Sequence, residues 1–94
     1  MNRWRQTRHF PDRILWRAEV GTAVFTLRLS CVEGRAVALL RRLDNGGAVP
    51  DRRDGWTTSE PAVEGLDAHR GFALRWADER LVALGVVARA SSTG

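Results

Sequence analysis

Cysteine is almost missing from this chain: Cys31 is the only one in 94 residues, so no internal disulfide can form and no thiolate cluster can hold a metal ion. Lysine and tyrosine are absent, and all fifteen basic residues are arginine. A GC-rich coding sequence accounts for that bias, yet its physical consequence stands. Guanidinium forks bind carboxylates and phosphates bidentately and stack on aromatic rings, which suits a surface to contact. Long apolar runs are lacking as well. The longest, Leu81 to Ala88, falls far short of the roughly 20 residues a helix needs to cross a bilayer. The basic start, Met1-Asn2-Arg3-Trp4-Arg5, has no apolar stretch behind it as a secretion signal would, and Pro11 with Asp12 interrupts any amphipathic transit helix. A cytoplasmic protein with no membrane partner is expected.

The catalytic and cofactor signatures are missing too. There is no glycine-rich phosphate loop, no His-Glu-x-x-His and no Cys-x-x-Cys. Asp51-Arg52-Arg53-Asp54-Gly55 resembles a calcium loop only superficially, because arginines stand where oxygen ligands belong and no glutamate closes it. Neither a cofactor nor a metal is expected. Glu60, Glu64 and Asp67 make one acidic, solvated side rather than a pair of catalytic carboxylates. The minimal catalytic set is His69 oriented by Asp67, with Cys31 or a serine as nucleophile. The plainer reading makes His69 a loop residue and Cys31 a small core hydrophobe, and a small enzyme stands third among the functions considered.

What is present fits one globular domain. The chain is 44% hydrophobic and 28% charged, far from the composition of disordered segments. Residues 13–89 are expected to form a single β-rich domain behind an arginine-rich segment, 1–12, and ahead of a disordered tail, 90–94. Ile14, Trp16, Ala18 and Val20 alternate with Leu15, Arg17 and Glu19 in the period of a strand. Glycine opens a two-residue turn at Gly21-Thr22. Counting outward from it sets Val20 against Ala23, Ala18 against Phe25, Trp16 against Leu27 and Ile14 against Leu29. A second turn at Glu33-Gly34 sets Cys31 against Ala36, Leu29 against Ala38 and Leu27 against Leu40. Both hairpins bring the same apolar face together, and a slip of one residue in either would destroy the match.

A rival reading makes 31–44 a helix capped by Ser30 and Glu33, with Gly34 awkwardly in its first turn. Residues 44–61 read as a loop dense in turn-formers, and Thr57, Thr58 or Ser59 could cap a short helix running through Glu60, Pro61, Ala62, Val63 and Leu66. Phe72, Leu74 and Trp76, an Asp78-Glu79 turn and the run from Leu81 to Val87 predict a C-terminal hairpin. A helix sharing Phe72, Ala73, Trp76 and Leu84 is the alternative there. The expected fold is mainly β: an antiparallel meander plus a C-terminal hairpin, barrel-like or covered on one face by one short helix.

Function is expected to lie in binding. Four tryptophans are many for this length, and tryptophan with arginine dominates the energetic centres of interfaces. Alternation explains Trp16 and Trp76 as core. Trp4, among Arg3, Arg5 and Arg8, and Trp56, beyond Arg52 and Arg53, either lie as lids over sheet edges or contact a partner. Two partners compete for these seven residues: another protein, as for an inhibitor, immunity factor, antitoxin or assembly subunit, or a nucleic acid held by arginines and stacked on a tryptophan. Asp51, Asp54 and the acidic 54–67 stretch would repel nearby phosphates, which favours the protein partner. Strand edges also allow a homodimer by edge pairing.

Overall fold

The computed structural model describes residues 3–21, 23–43 and 55–87. Five strands, β1 (Arg5–Phe10), β2 (Arg13–Val20), β3 (Ala23–Val32), β4 (Arg35–Leu43) and β5 (Gly55–Pro61), precede a 3₁₀ turn (Leu66–His69) and one helix, α1 (Arg70–Ala83). The strands form a single antiparallel sheet in sequential order, β1-β2-β3-β4-β5. The sheet stays open, and the 3₁₀ turn and α1 lie against one face, over the central strand β3. The mainly β expectation holds in its helix-covered form.

Both interior hairpins keep the register that their turns dictate: Trp16 pairs with Leu27 and Ile14 with Leu29, then Leu27 pairs with Leu40 and Cys31 with Ala36. Residues 35–43 are therefore strand rather than helix. Glu33 and Gly34 both have positive φ, 49° and 79°, as a type I′ turn requires; glycine meets that demand without strain. The core is the sum of these alternations. Ile14, Trp16, Ala18, Phe25, Leu27, Leu29, Ala36, Ala38 and Leu40 are buried on the covered face, and Ala73, Ala77 and Leu81 close it from α1. Two alanines one turn apart let the helix backbone settle close to the sheet. Each large apolar side chain buried here contributes about 1.5–3 kcal/mol.

Three expectations are overturned. The segment read as a C-terminal hairpin is helical over Arg70–Ala83: residues 72–84 hold no glycine, proline or asparagine to turn a hairpin, and are rich in good helix formers. The helix ends at Gly85, φ 75°, where Val86 N–H donates to Leu81 O and Gly85 N–H to Val82 O, both at 3.0 Å. Those two bonds are a Schellman motif, and Val86 adds its usual apolar contact by packing on the core. Residues 55–61, read as the end of a loop and the start of a short helix, form β5 instead. The β-branched Thr57 and Thr58 suit a strand, and Trp56 pairs with Leu40. Finally, Cys31, expected as a small core hydrophobe, is exposed at the end of β3. The arginine-rich N-terminal segment contributes the edge strand β1. Thr22 and the tail at 90–94 lie outside the described residues.

The edges differ. β1 carries a bulge between Gln6 and Arg8 and exposes Arg5, Arg8 and His9, which discourages further pairing. β5 is polar, with Pro61 at its end; pairing between two copies would have to use it.

Candidate binding face

Every pair in a β ladder points to the same side, so the register that buries Trp16 and Leu27 also sorts the arginines. On the uncovered face one row across the sheet reads Arg5, Arg17, Thr26, Arg41; the next reads Arg8, Leu15, Arg28, Leu39, Thr57. Arg13 and Arg35 extend the set, making seven arginines, 5, 8, 13, 17, 28, 35 and 41, on one side of the sheet. Among the described strand residues Glu19 is the one acid facing that way. Between the arginines lie the half-buried Leu15, Val24, Val37, Leu39 and Leu43 and the hydroxyls of Thr26 and Ser30.

Several of these arginines are occupied. Arg13 lies 4.5 Å over the Phe10 ring and 3.5 Å from Asp12, Arg17 is 3.6 Å from Glu19, and Arg35 donates to the Ser59 hydroxyl at 2.9 Å. Arg5, Arg8, Arg28 and Arg41 have no side-chain partner among the described residues. The helix side is the reverse. There Asp67 accepts from Arg70 at 2.7 Å, Asp78 lies 3.5 Å from Arg3, and Glu60 holds His69. Three acids on that side, Glu60, Asp67 and Asp78, are held by basic groups, while among the described residues Arg5, Arg8, Arg28 and Arg41 on the open face have no acid beside them and create a field toward solvent. A depression of about 440 Å³ indents this face, lined by Thr7, Leu15, Arg17, Thr26, Arg28, Leu39 and Arg41 among others. A second, of about 480 Å³, adjoins it and shares Thr7 and Arg17 while adding Arg3, Arg5 and Glu19.

The residues singled out from sequence separate accordingly. Arg5 and Arg8 lie on the open face. Arg3 is exposed beside Asp78. Trp4 is a core residue, only 5% exposed, whose indole N–H donates to Asp78 at 2.9 Å. Trp56 is half-buried on the covered face, with the Arg80 guanidinium 5.8 Å from its ring. Arg52 and Arg53 lie outside the described residues. Arg17, Arg28 and Arg41 were missed because they are scattered in the chain and meet only across strands.

His69 has a different partner from the one its sequence neighbourhood implies. Its ring is buried, Val63 N–H donates to Nε2 at 3.1 Å, and Nδ1 bonds the Glu60 carboxylate. Nε2 is thus the acceptor, and the proton sits on Nδ1. Asp67 turns instead to Arg70 and, at 3.8 Å, to the exposed His9. With both ring nitrogens used inside the fold, His69 clasps the end of β5 to the 3₁₀ turn. Replacing it with alanine strands the Val63 amide and a partly buried carboxylate, so urea denaturation of His69→Ala should show a loss of about 2 kcal/mol.

Among the described residues, no three His, Cys, Asp or Glu side chains come together to hold a metal ion, and no helix is long and apolar enough to cross a membrane. No protein-family model, curated protein or solved structure matches the chain.

Proposed function

We propose that the chain is a non-catalytic binding domain, of the regulatory or assembly kind, whose open sheet face docks an acidic protein surface. One observation carries the proposal: four arginines with no side-chain partner among the described residues, on a face where half-buried leucines and valines lie between the charges. Protein interfaces are enriched in arginine and bury an apolar centre within a polar rim. A carboxylate-bearing partner with small apolar side chains would satisfy both parts of this face. The excess of arginine opposes face-to-face packing of two copies.

The same charge would attract a phosphate backbone, and the acids of the 54–67 stretch that are described lie away from this face. Single-strand binders, however, present aromatic rings for base stacking. Here Trp4, Trp16, Trp56 and Trp76 all pack on the covered side, and Phe10 lies beneath Arg13.

Fluorescence anisotropy separates the two partners. A glutamate-rich peptide with interspersed leucines should bind more tightly at about 0.15 M salt than a single-stranded oligonucleotide of equal charge. Oligonucleotide binding that is tighter, with log K falling by about 0.7 per phosphate contacted for each unit of log salt, would assign the face to nucleic acid.

A further inference from the structure

The middle of the open face is built around Thr26. Arg17 on β2 and Arg41 on β4 are its partners in the ladder, each about 5 Å away along the sheet. Arg28 stands two residues further along β3, about 7 Å away on the same side. All four side chains line the depression of about 440 Å³, whose apolar walls are Leu15 and Leu39. Three guanidinium groups therefore surround one half-buried hydroxyl. Glu19 offsets Arg17, at 3.6 Å, and nothing among the described residues offsets Arg28 or Arg41.

Among the described residues the uncompensated charge at this point is close to two. A carboxylate brings one negative charge and two acceptor oxygens. A phosphate monoester brings about −1.5 to −2 and three strong acceptors, which matches several arginine forks at once, and the Thr26 hydroxyl is free to donate to the same group. A phosphodiester brings only one charge. We infer that the depression around Thr26 is a subsite for a phosphate monoester dianion, carried by a phosphorylated side chain of the acidic partner or by a small phosphorylated molecule. The inference rests on the open face being the docking surface.

Three versions of the acidic leucine-containing peptide test it: one with a central serine, one with phosphoserine and one with glutamate in its place. Phosphorylation should tighten binding about tenfold over serine and at least about threefold over glutamate. That gain should shrink as pH falls through the phosphate's second pKa of about 6. Thr26→Val should remove most of the gain while leaving the glutamate peptide within about twofold, and Arg28→Gln should remove all of it. Arg75→Gln, on the exposed side of α1, should change neither affinity.

Inorganic phosphate that competes at millimolar concentration, in a manner sensitive to Thr26→Val, would point to a small phosphorylated ligand. A gain confined to the phosphopeptide would point to a modified partner. A phosphopeptide that binds no tighter than its glutamate counterpart, with no competition from phosphate, would overturn the subsite while leaving the docking face intact. Failure of every peptide to bind would overturn both.

Discussion

Trp4→Ala should lower the free energy of unfolding by about 3–5 kcal/mol, the usual cost of deleting a buried aromatic side chain. The total stability of a domain this size is about 5–15 kcal/mol, so the variant would keep only part of its margin. Trp4 precedes the edge strand β1, packs into the core and donates its indole N–H to Asp78 on α1, 74 residues away in the chain. Without it, no apolar side chain of residues 3–10 reaches the covered face, and β1 keeps its ladder to β2 and two exposed polar contacts, Gln6 with Arg70 and His9 with Asp67. Trp4→Phe should recover most of the burial and lose chiefly the hydrogen bond, about 1 kcal/mol. Chemical denaturation of the three proteins provides the comparison. If Trp4→Ala were as stable as the parent yet failed to bind, the tryptophan would belong to the partner interface and its docking against α1 would be wrong.

The second large effect concerns binding. Arg28→Glu together with Arg41→Glu reverses both partnerless charges at the centre of the open face, and affinity for an acidic partner should fall by at least about 100-fold, because like charges brought together across an interface cost several kcal/mol. Stability should barely move, since neither arginine has a side-chain partner among the described residues and exposed substitutions of this sort usually stay within about 0.5 kcal/mol. Arg75→Glu on the exposed side of α1 alters the net charge without touching the face, and should weaken binding far less. Equal losses from both variants would mean that overall charge, not this face, drives association.

The interior of the sheet was legible in the sequence because a strand buried on one side must alternate: Ile14 to Val20 of β2 and Phe25 to Leu29 of β3 do so, and the turn at Glu33-Gly34 brings Ala36, Ala38 and Leu40 of the less regular β4 onto the same face. Two turns then set the register down to the individual pair. The edge strands were hidden for the opposite reason. β1 is almost wholly exposed and β5 presents threonine and serine, so neither needs the apolar repeat that marks an interior strand. The C-terminal helix was misread because Phe72, Leu74 and Trp76 alternate over a stretch too short to separate the two periods. Gly85, a helix stop placed just past a run of good helix formers, was the stronger signal.

The candidate face was more legible than it seemed. The same outward counting that paired Trp16 with Leu27 also pairs Arg17 with Thr26 and Leu15 with Arg28. The second hairpin adds Arg41 beside Thr26 and Leu39 beside Arg28. Arginines close in sequence drew attention to residues 3, 5, 8, 52 and 53, whereas Arg17, Arg28 and Arg41 come together from three strands. The tryptophans misled for a related reason: a segment with no apolar periodicity can still place one ring in the core.

Site-specific photo-crosslinking in the cells that make the protein tests the central claim most directly, with benzoyl-phenylalanine placed at Leu39 on the open face or at Arg75 on the helix. The account predicts one discrete protein adduct from position 39 that survives nuclease, disappears when Arg28→Glu and Arg41→Glu are added, and is absent from position 75. Adducts that form only from position 75, or adducts from position 39 that nuclease removes, would contradict it.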